Sequence, residues 1–238
     1  LAVSAVTAPA TALPGRSVTV TWTVTNVGVA ATTGPWTDRI FLSDDAAIGT
    51  DTFLASVPST ATLAPGGTVT RSAVVTIPMF ASGAQRFVVE TGAARGFFDP
   101  TVGNDVAIQA TATEVAKAIF LSLSRSSFPE GAGSGAAVAT VTRSGSTAAA
   151  LVVSLASSAP SVATVPATVT IPAGASSATV AITAVDNALA DGPHAATIAA
   201  SATGFEGASA TVTATDDDTP KVAVAISVAT VAENAANP

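Results

Sequence analysis

The stretch Leu121-Ser-Leu-Ser-Arg-Ser-Ser-Phe128-Pro-Glu130-Gly-Ala132 returns near the end of the chain as Val224-Ala-Ile-Ser-Val-Ala-Thr-Val231-Ala-Glu233-Asn-Ala235. The two glutamates lie 103 positions apart, and the apolar residues before them keep the same spacing. A repeat of about 100 residues matches one β-sandwich module of the immunoglobulin type. The sequence therefore predicts a segment of a tandem array that stops just inside a further copy. Such arrays are typical of structural proteins and binding surfaces.

Strands are predicted throughout the chain by the alternation of apolar and polar residues. The pattern is clear over residues 17–24, 68–77 and 178–185, where one face is apolar and the other carries Thr, Ser or Arg. A period of two residues is the signature of a half-buried strand. Turn pairs such as Pro14-Gly15 separate these runs. The predicted fold class is all-β, with tandem immunoglobulin-like β-sandwiches.

Three segments follow from the repeat and the turns. Residues 1–113 form the first predicted module and residues 114–218 the second. Residues 219–238 are either the first strand of a further repeat or a free strand that is donated to another molecule. The junction at residues 114–118 is short and has no Gly or Pro, so we expect a semi-rigid joint between modules stacked end to end.

The charge of the chain excludes several classes of partner. The formal net charge is −7, with only nine Lys and Arg residues. Nucleic acid is not expected, because binding to its backbone needs clustered basic residues. No apolar run is long enough to cross a bilayer, so no direct membrane insertion is expected in this segment. Cations are the natural partners of the acidic clusters. The weakly charged, Thr-rich composition favours an extracellular or bacterial cell-surface location.

An enzyme is not predicted. The chain has no Cys, and its only His, His194, follows Pro193 in a predicted turn. A nucleophile needs a base placed beside it, and no such pair is visible. The glycine-rich stretch at residues 131–135 lacks the Lys of a phosphate-binding loop and continues as a strand.

Three motifs of the first module are informative: Trp22-Thr-Val-Thr-Asn26-Val-Gly28, Trp36-Thr-Asp38-Arg-Ile-Phe41-Leu-Ser43 and the turn Leu63-Ala-Pro65-Gly66-Gly67. With these motifs the module resembles a CARDB domain, a bacterial module related to cell adhesion. The resemblance implies an immunoglobulin-like fold. The acidic hairpin that usually ends the family is present here in a reduced form at residues 98–105.

Two features of the first module have alternative interpretations. Trp22 is in phase with the apolar residues of its strand and is predicted to lie in the core. Trp36 follows a Gly-Pro pair, so it is either a core residue or an exposed platform for a carbohydrate or peptide.

Asp44, Asp45 and Asp51 could supply oxygens to Ca²⁺. The favoured interpretation is that these carboxylates cap a solvated hairpin loop.

Three separate motifs of the second module contain acidic residues: Phe128-Pro-Glu130-Gly-Ala-Gly133, Val185-Asp186-Asn187-Ala-Leu-Ala-Asp191-Gly192 and Thr215-Asp216-Asp217-Asp218. With these motifs in this order, the module resembles a Calx-beta domain. The resemblance implies a seven-stranded immunoglobulin-like sandwich in which loop carboxylates at one end bind calcium. The implied ligands are Glu130, Asp186, Asp191, Asp216, Asp217 and Asp218.

Departures from the Calx-beta pattern leave two interpretations of this acidic group open. The loop at residues 157–164 has no carboxylate, and Asn187 and His194 stand where acidic ligands are usual. Either the group binds Ca²⁺ with a reduced set of ligands, or the Asp residues form an exposed linker and a hairpin turn. Repulsion among three consecutive carboxylates favours a bound cation.

The predicted function is that of a structural or adhesive segment of a large bacterial surface or secreted protein. Its sandwiches would act as a stacked spacer that contacts neighbouring repeats of the same chain and is stiffened by calcium. An alternative is a filament subunit that pairs with other copies through residues 221–238, because an unpaired strand is a template for a neighbouring sheet edge. A third hypothesis is a carbohydrate-binding module.

Overall fold

The computed structural model describes residues 1–32, 35–47, 49–93, 99, 101–220 and 222. The prediction of an all-β fold is confirmed, because these residues form strands and two short 3-10 turns, Val102–Asn104 and Glu130–Ala132, with no α-helix among them. The described strands are β1 (Ala2–Thr7), β2 (Thr11–Ala12), β3 (Ser17–Thr25), β4 (Trp36–Ser43), β5 (Thr52–Ser59), β6 (Thr68–Thr76), β7 (Gly83–Ala93), β8 (Val106–Ile108), β9 (Thr113–Val115), β10 (Ile119–Leu123), β11 (Ser127–Pro129), β12 (Ala137–Arg143), β13 (Leu151–Ser157), β14 (Ala163–Thr164), β15 (Thr168–Ile171), β16 (Ser177–Ala184), β17 (His194–Ser201) and β18 (Ala208–Thr215).

The first sandwich consists of strands β1 to β9. One sheet has the order β1-β3-β6, and the other has the order β2-β9-β7-β4-β5 with β8 beside β7. Strand β3 buries every second residue, as its alternating sequence predicts. The core between the sheets contains Trp22, Trp36, Ile40 and Phe87. Trp36 is fully buried, so the interpretation of this residue as an exposed ligand platform is wrong.

The second sandwich consists of strands β10 to β18. Its sheets have the orders β10-β12-β16-β14 and β11-β18-β17-β13-β15. The core is built largely from small and β-branched residues, among them Ala139, Val141, Ile182 and Ile198. Small side chains allow the two sheets of a thin sandwich to pack closely without large aromatic residues.

In each sandwich, the first two strands of the chain belong to opposite sheets. In the first sandwich β1 pairs with β3, and the chain then enters the opposite sheet as β2, parallel to β9. In the second, β10 pairs with β12 and β11 runs parallel to β18. The last strand of each sandwich is therefore joined to the start of the same sandwich.

Two predicted segments need separate mention. Strand β9 spans the predicted module boundary between Thr113 and Glu114 and belongs to the first sandwich, while the boundary itself stays a prediction. Of residues 221–238 the structure describes only Val222, so the strand predicted there, with its proposed pairing to other molecules, lies outside the described residues. Phe98 of the predicted hairpin also lies outside them.

Candidate metal centre

Three predicted ligands meet at one end of the second sandwich. Glu130 opens the 3-10 turn after β11, Asp186 follows β16, and Asp218 follows β18. Each strand delivers its residue to the same end, because all three strands run towards it. One carboxylate oxygen from each residue lies within 4.8 Å of the others. This is the only such group of potential metal ligands found among the described residues.

Glu130 is the buried member of this acidic cluster. The residue is only 3% exposed. Its Oε2 atom accepts a hydrogen bond of 2.7 Å from Asn187 Nδ2. Its Oε1 atom is buried and has no hydrogen-bond partner within the described part of the chain. A buried polar atom without a partner is costly, and a buried charge is more costly still. An electropositive group at this position would remove that cost.

The electrostatics of the cluster also disfavour the ionised form of Glu130. Burial raises the pKa of the Glu130 carboxyl above its ordinary value of 4.5, and the nearby carboxylates raise this pKa further. Those carboxylates belong to Asp216, Asp218, Asp186 and Asp191, in decreasing order of effect. Without a counter-ion, the folded second sandwich therefore keeps a proton on Glu130 to a higher pH than an unfolded chain does.

Asp216 organises the loops around the cluster. Its Oδ2 atom accepts a hydrogen bond of 2.7 Å from the Gly192 N–H, and its Oδ1 atom accepts one of 2.9 Å from the Asp218 N–H. These backbone donors lower the pKa of Asp216, although burial opposes them. Asp216 thereby connects the loop after β16 to the segment after β18, and it fixes the backbone that carries Asp218.

Asp191 and Asp217 lie beside the cluster and are not among its three members. Asp191 Oδ1 lies 3.0 Å from His194 Nε2. Asp217 lies against Gly131, where an added Cβ atom would come within 2.8 Å of Asp217 Oδ2. Gly131 therefore leaves the space that the Asp217 side chain occupies. Of the six predicted ligands, the structure brings Glu130, Asp186 and Asp218 together and places the other three around them.

The donors of the cluster fit a hard divalent cation. All three members supply carboxylate oxygens, which are the ligands that Ca²⁺ prefers. The orphaned Oε1 atom of buried Glu130 is an independent sign of such a ligand, because an electropositive group would satisfy it. Asn187, which stands where the Calx-beta pattern has an acidic ligand, donates its amide N–H to Glu130 Oε2 and so holds that side chain.

The second acidic loop has a different structure. Asp45 Oδ1 accepts a hydrogen bond of 2.8 Å from the Ala47 N–H, and Asp51 Oδ2 accepts one of 3.3 Å from the Gly49 N–H. Asp44, Asp45 and Asp51 do not form a group of potential metal ligands. This geometry agrees with the interpretation that carboxylates cap a hairpin loop.

A buried ion pair in the first sandwich was not predicted from the sequence. Asp38 accepts hydrogen bonds from Trp22 Nε1 (2.8 Å) and Thr91 Oγ1 (2.6 Å), and it forms a salt bridge with Arg71. The Arg71 guanidinium lies 5.8 Å from the ring centre of Trp22 and 5.9 Å from that of Trp36. This network joins the two sheets. The signal for it was present, because Asp38 occupies an inward position between apolar neighbours on β4.

No family model matches the sequence, and no curated protein matches it. Among solved structures, the chain is similar to a beta-glucuronidase from glycoside hydrolase family 2, with 14% identity and a TM-score of 0.36. The match covers 92% of this chain and 20% of that one. It is also similar to Escherichia coli alpha-2-macroglobulin activated by porcine elastase, with 12% identity, a TM-score of 0.32, and coverage of 91% and 22%.

A third similar structure is the calcium binding domain CBD12 of CALX1.1. The identity is 10% and the TM-score 0.29, and the match covers 79% of this chain and 76% of that one. Similarities of this size carry no conclusion about function. In the part of the chain that the structure describes, no helix is long and apolar enough to span a membrane.

Proposed function

We propose that this chain is a structural segment of an extracellular protein, in which the two sandwiches act as a spacer and the second sandwich binds Ca²⁺ at one end. The observation that carries the proposal is Glu130, a buried carboxylate with an orphaned oxygen beside two further carboxylates. Glu130, Asp186 and Asp218 would hold the ion. Bound Ca²⁺ would supply the positive charge that offsets the repulsion among them.

The binding of calcium would stabilise the second sandwich in particular. Its three carboxylates follow β11, β16 and β18, which belong to both sheets of that sandwich. A ligand that binds only the folded state stabilises it by about 2.7 kcal/mol when its free concentration is 100 times Kd. The ion would also fix the segment that leaves the second sandwich after Asp218.

The surface of the strands supports the proposal of a spacer. The hydroxyl side chains of Thr197 and Thr211 lie within hydrogen-bond distance of each other on the sheet surface. The strands expose many Ser and Thr residues and few charges, which suits an extracellular module that contacts its neighbours along the same chain. Adhesion to a cell or matrix would then depend on other parts of the protein.

The test is calorimetry of the chain in excess Ca²⁺ and in chelator. We expect the transition of the second sandwich to rise in temperature with Ca²⁺ and that of the first to stay unchanged. Asp218→Asn should abolish the rise, because it removes one of the three charged ligands. Asp44→Asn is the matched control, since it neutralises an Asp that is exposed in the first sandwich.

Each unfolding transition can be assigned to one of the two sandwiches by a method other than calorimetry. The two Trp residues of the chain lie in the first sandwich, so Trp fluorescence follows that sandwich alone. If millimolar Ca²⁺ shifts neither transition, the acidic cluster does not bind the ion and the proposal of a calcium-binding spacer is wrong. A shift that persists in Asp218→Asn would place the ion elsewhere.

A further inference from the structure

The chain passes from the first sandwich to the second through a single residue, Lys117. The backbone N–H of Ala116 donates to the carbonyl of Ala12 in β2, at 3.1 Å. The backbone N–H of Ala118 donates to the hydroxyl of Ser144 in the second sandwich, at 2.7 Å. Ala118 and Ser144 are both buried. A flexible linker needs several residues without fixed partners, and this connection does not provide them.

Lys117 itself is fixed by a turn of the second sandwich. Its carbonyl accepts a hydrogen bond of 2.8 Å from the Glu206 N–H, and the Ile119 N–H donates to the Glu206 carbonyl, also at 2.8 Å. The ammonium of Lys117 lies 5.9 Å from the ring centre of Phe205, and the guanidinium of Arg143 lies 5.7 Å from the same ring. These distances are within the range of cation–π interaction. The connection is therefore held by both its backbone and its side chain.

The two sandwiches also touch directly. The Gly145 N–H donates to the carbonyl of Met79, in the turn that precedes β7, at 3.1 Å. Gly145 has a φ of +73°, and a Cβ atom added to it would lie 3.3 Å from Ser82 Oγ. Glycine is thus needed here both for the backbone conformation and for the close approach of the first sandwich.

The joint and the acidic cluster lie at opposite ends of the second sandwich. Strand β10 starts at the joint with Ile119, whereas β16 and β18 end beside the cluster. The joint contains no group of potential metal ligands within the described residues. We propose that the two sandwiches form one rigid unit, whose joint is fixed by packing and hydrogen bonds and needs no metal ion. Any effect of Ca²⁺ on flexibility would then be confined to the chain beyond Asp218.

The inference can be tested by measuring distances across the joint. The chain has no Cys, so two spin labels can be attached to single introduced cysteines, Ser72→Cys in β6 and Thr170→Cys in β15, both at exposed positions. We expect double electron–electron resonance to give one narrow distribution of distances between the two labels in excess chelator. Ca²⁺ should leave this distribution unchanged. A broad distribution in chelator would overturn the proposal, whether or not Ca²⁺ narrows it. This outcome is separate from calcium binding, which calorimetry reports.

A matched pair of glycine variants identifies the contact responsible. In the doubly labelled chain, Gly145→Leu should broaden the distribution, because its side chain would enter the contact with Ser82. Gly66→Leu is the control, since Gly66 has a similar φ of +75° and nothing lies within 4 Å of an added Cβ atom. Equal, narrow distributions for both variants would show that the Gly145 contact does not fix the joint. If Gly145→Leu fails to fold, the measurement on the unsubstituted joint still decides the proposal.

Discussion

Replacing Arg71 with leucine should strongly destabilise the first sandwich, because Asp38 would lose its cation. Asp38 has a fully buried side chain, and the Arg71 side chain is 12% exposed. After the change, Asp38 would keep only the hydrogen bonds from Trp22 and Thr91. Removing one partner of a buried ion pair costs about 3–5 kcal/mol. We expect a loss within this range, since the contacts of the guanidinium with two Trp rings disappear as well.

Urea unfolding followed by Trp fluorescence measures this loss, because both Trp residues lie beside Arg71 in the first sandwich. Arg39→Leu is the matched control. Arg39 lies 3.7 Å from Glu90, and these side chains are 47% and 36% exposed. An exposed ion pair contributes only about 0–1 kcal/mol, so the control should unfold almost like the unsubstituted chain.

The reasoning would be refuted if Arg71→Leu cost no more than Arg39→Leu. A second measurement examines the cause of the loss. In the Arg71→Leu background, Asp38→Asn should restore part of the stability, because a neutral amide costs less to bury than a carboxylate. A further loss on adding Asp38→Asn would show that the charge of Asp38 is not the source of the destabilisation.

Three further predictions concern single residues. Glu130→Gln should raise the unfolding temperature of the second sandwich in chelator, because it removes a buried charge. It should also abolish the response to Ca²⁺, because the ion needs that charge. Calorimetry measures both effects. In chelator, the stability of this sandwich should fall as pH rises above 4.5, because the pKa of Glu130 is raised on folding and the folded state therefore holds its proton more tightly. Urea midpoints across this range, compared with Glu130→Gln, should show the decline only where Glu130 is present. Trp22→Phe should lower the free energy of unfolding by about 1 kcal/mol more than Trp36→Phe, because only the first change removes a hydrogen bond to Asp38. Trp36 Nε1 has no hydrogen-bond partner among the described residues. Urea unfolding followed by circular dichroism measures the difference.

The strands could be predicted from the sequence because their side chains alternate between core and solvent. The run predicted at residues 68–77 is β6 (Thr68–Thr76), and the run at residues 178–185 is β16 (Ser177–Ala184). Trp36 was ambiguous because the preceding Gly-Pro pair suggested an exposed loop. Its inward phase with Ile40 and Leu42 on β4 was the better guide.

The acidic cluster could be predicted only as a set of residues, because its geometry depends on where distant strands end. Glu130 and Asp186 are far apart in sequence, and the sequence does not reveal that Glu130 is buried with one oxygen orphaned. From the sequence alone, Asn187 and His194 weaken the predicted site, because they replace carboxylates. In the structure they donate to or pair with Glu130 and Asp191, an effect that residue type alone cannot indicate.

The parallel pairing of the second strand with the last strand, β2 with β9 and β11 with β18, determines how each sandwich bears tension. In the second sandwich, Ser127–Pro129 pairs in parallel with Thr213–Thr215, and in the first, Thr11–Ala12 pairs in parallel with Glu114–Val115. A pull on the two ends of the chain draws such strands past each other along their length. The ladder hydrogen bonds then share the load and must break together, whereas a hairpin pulled from its open end would lose them one at a time.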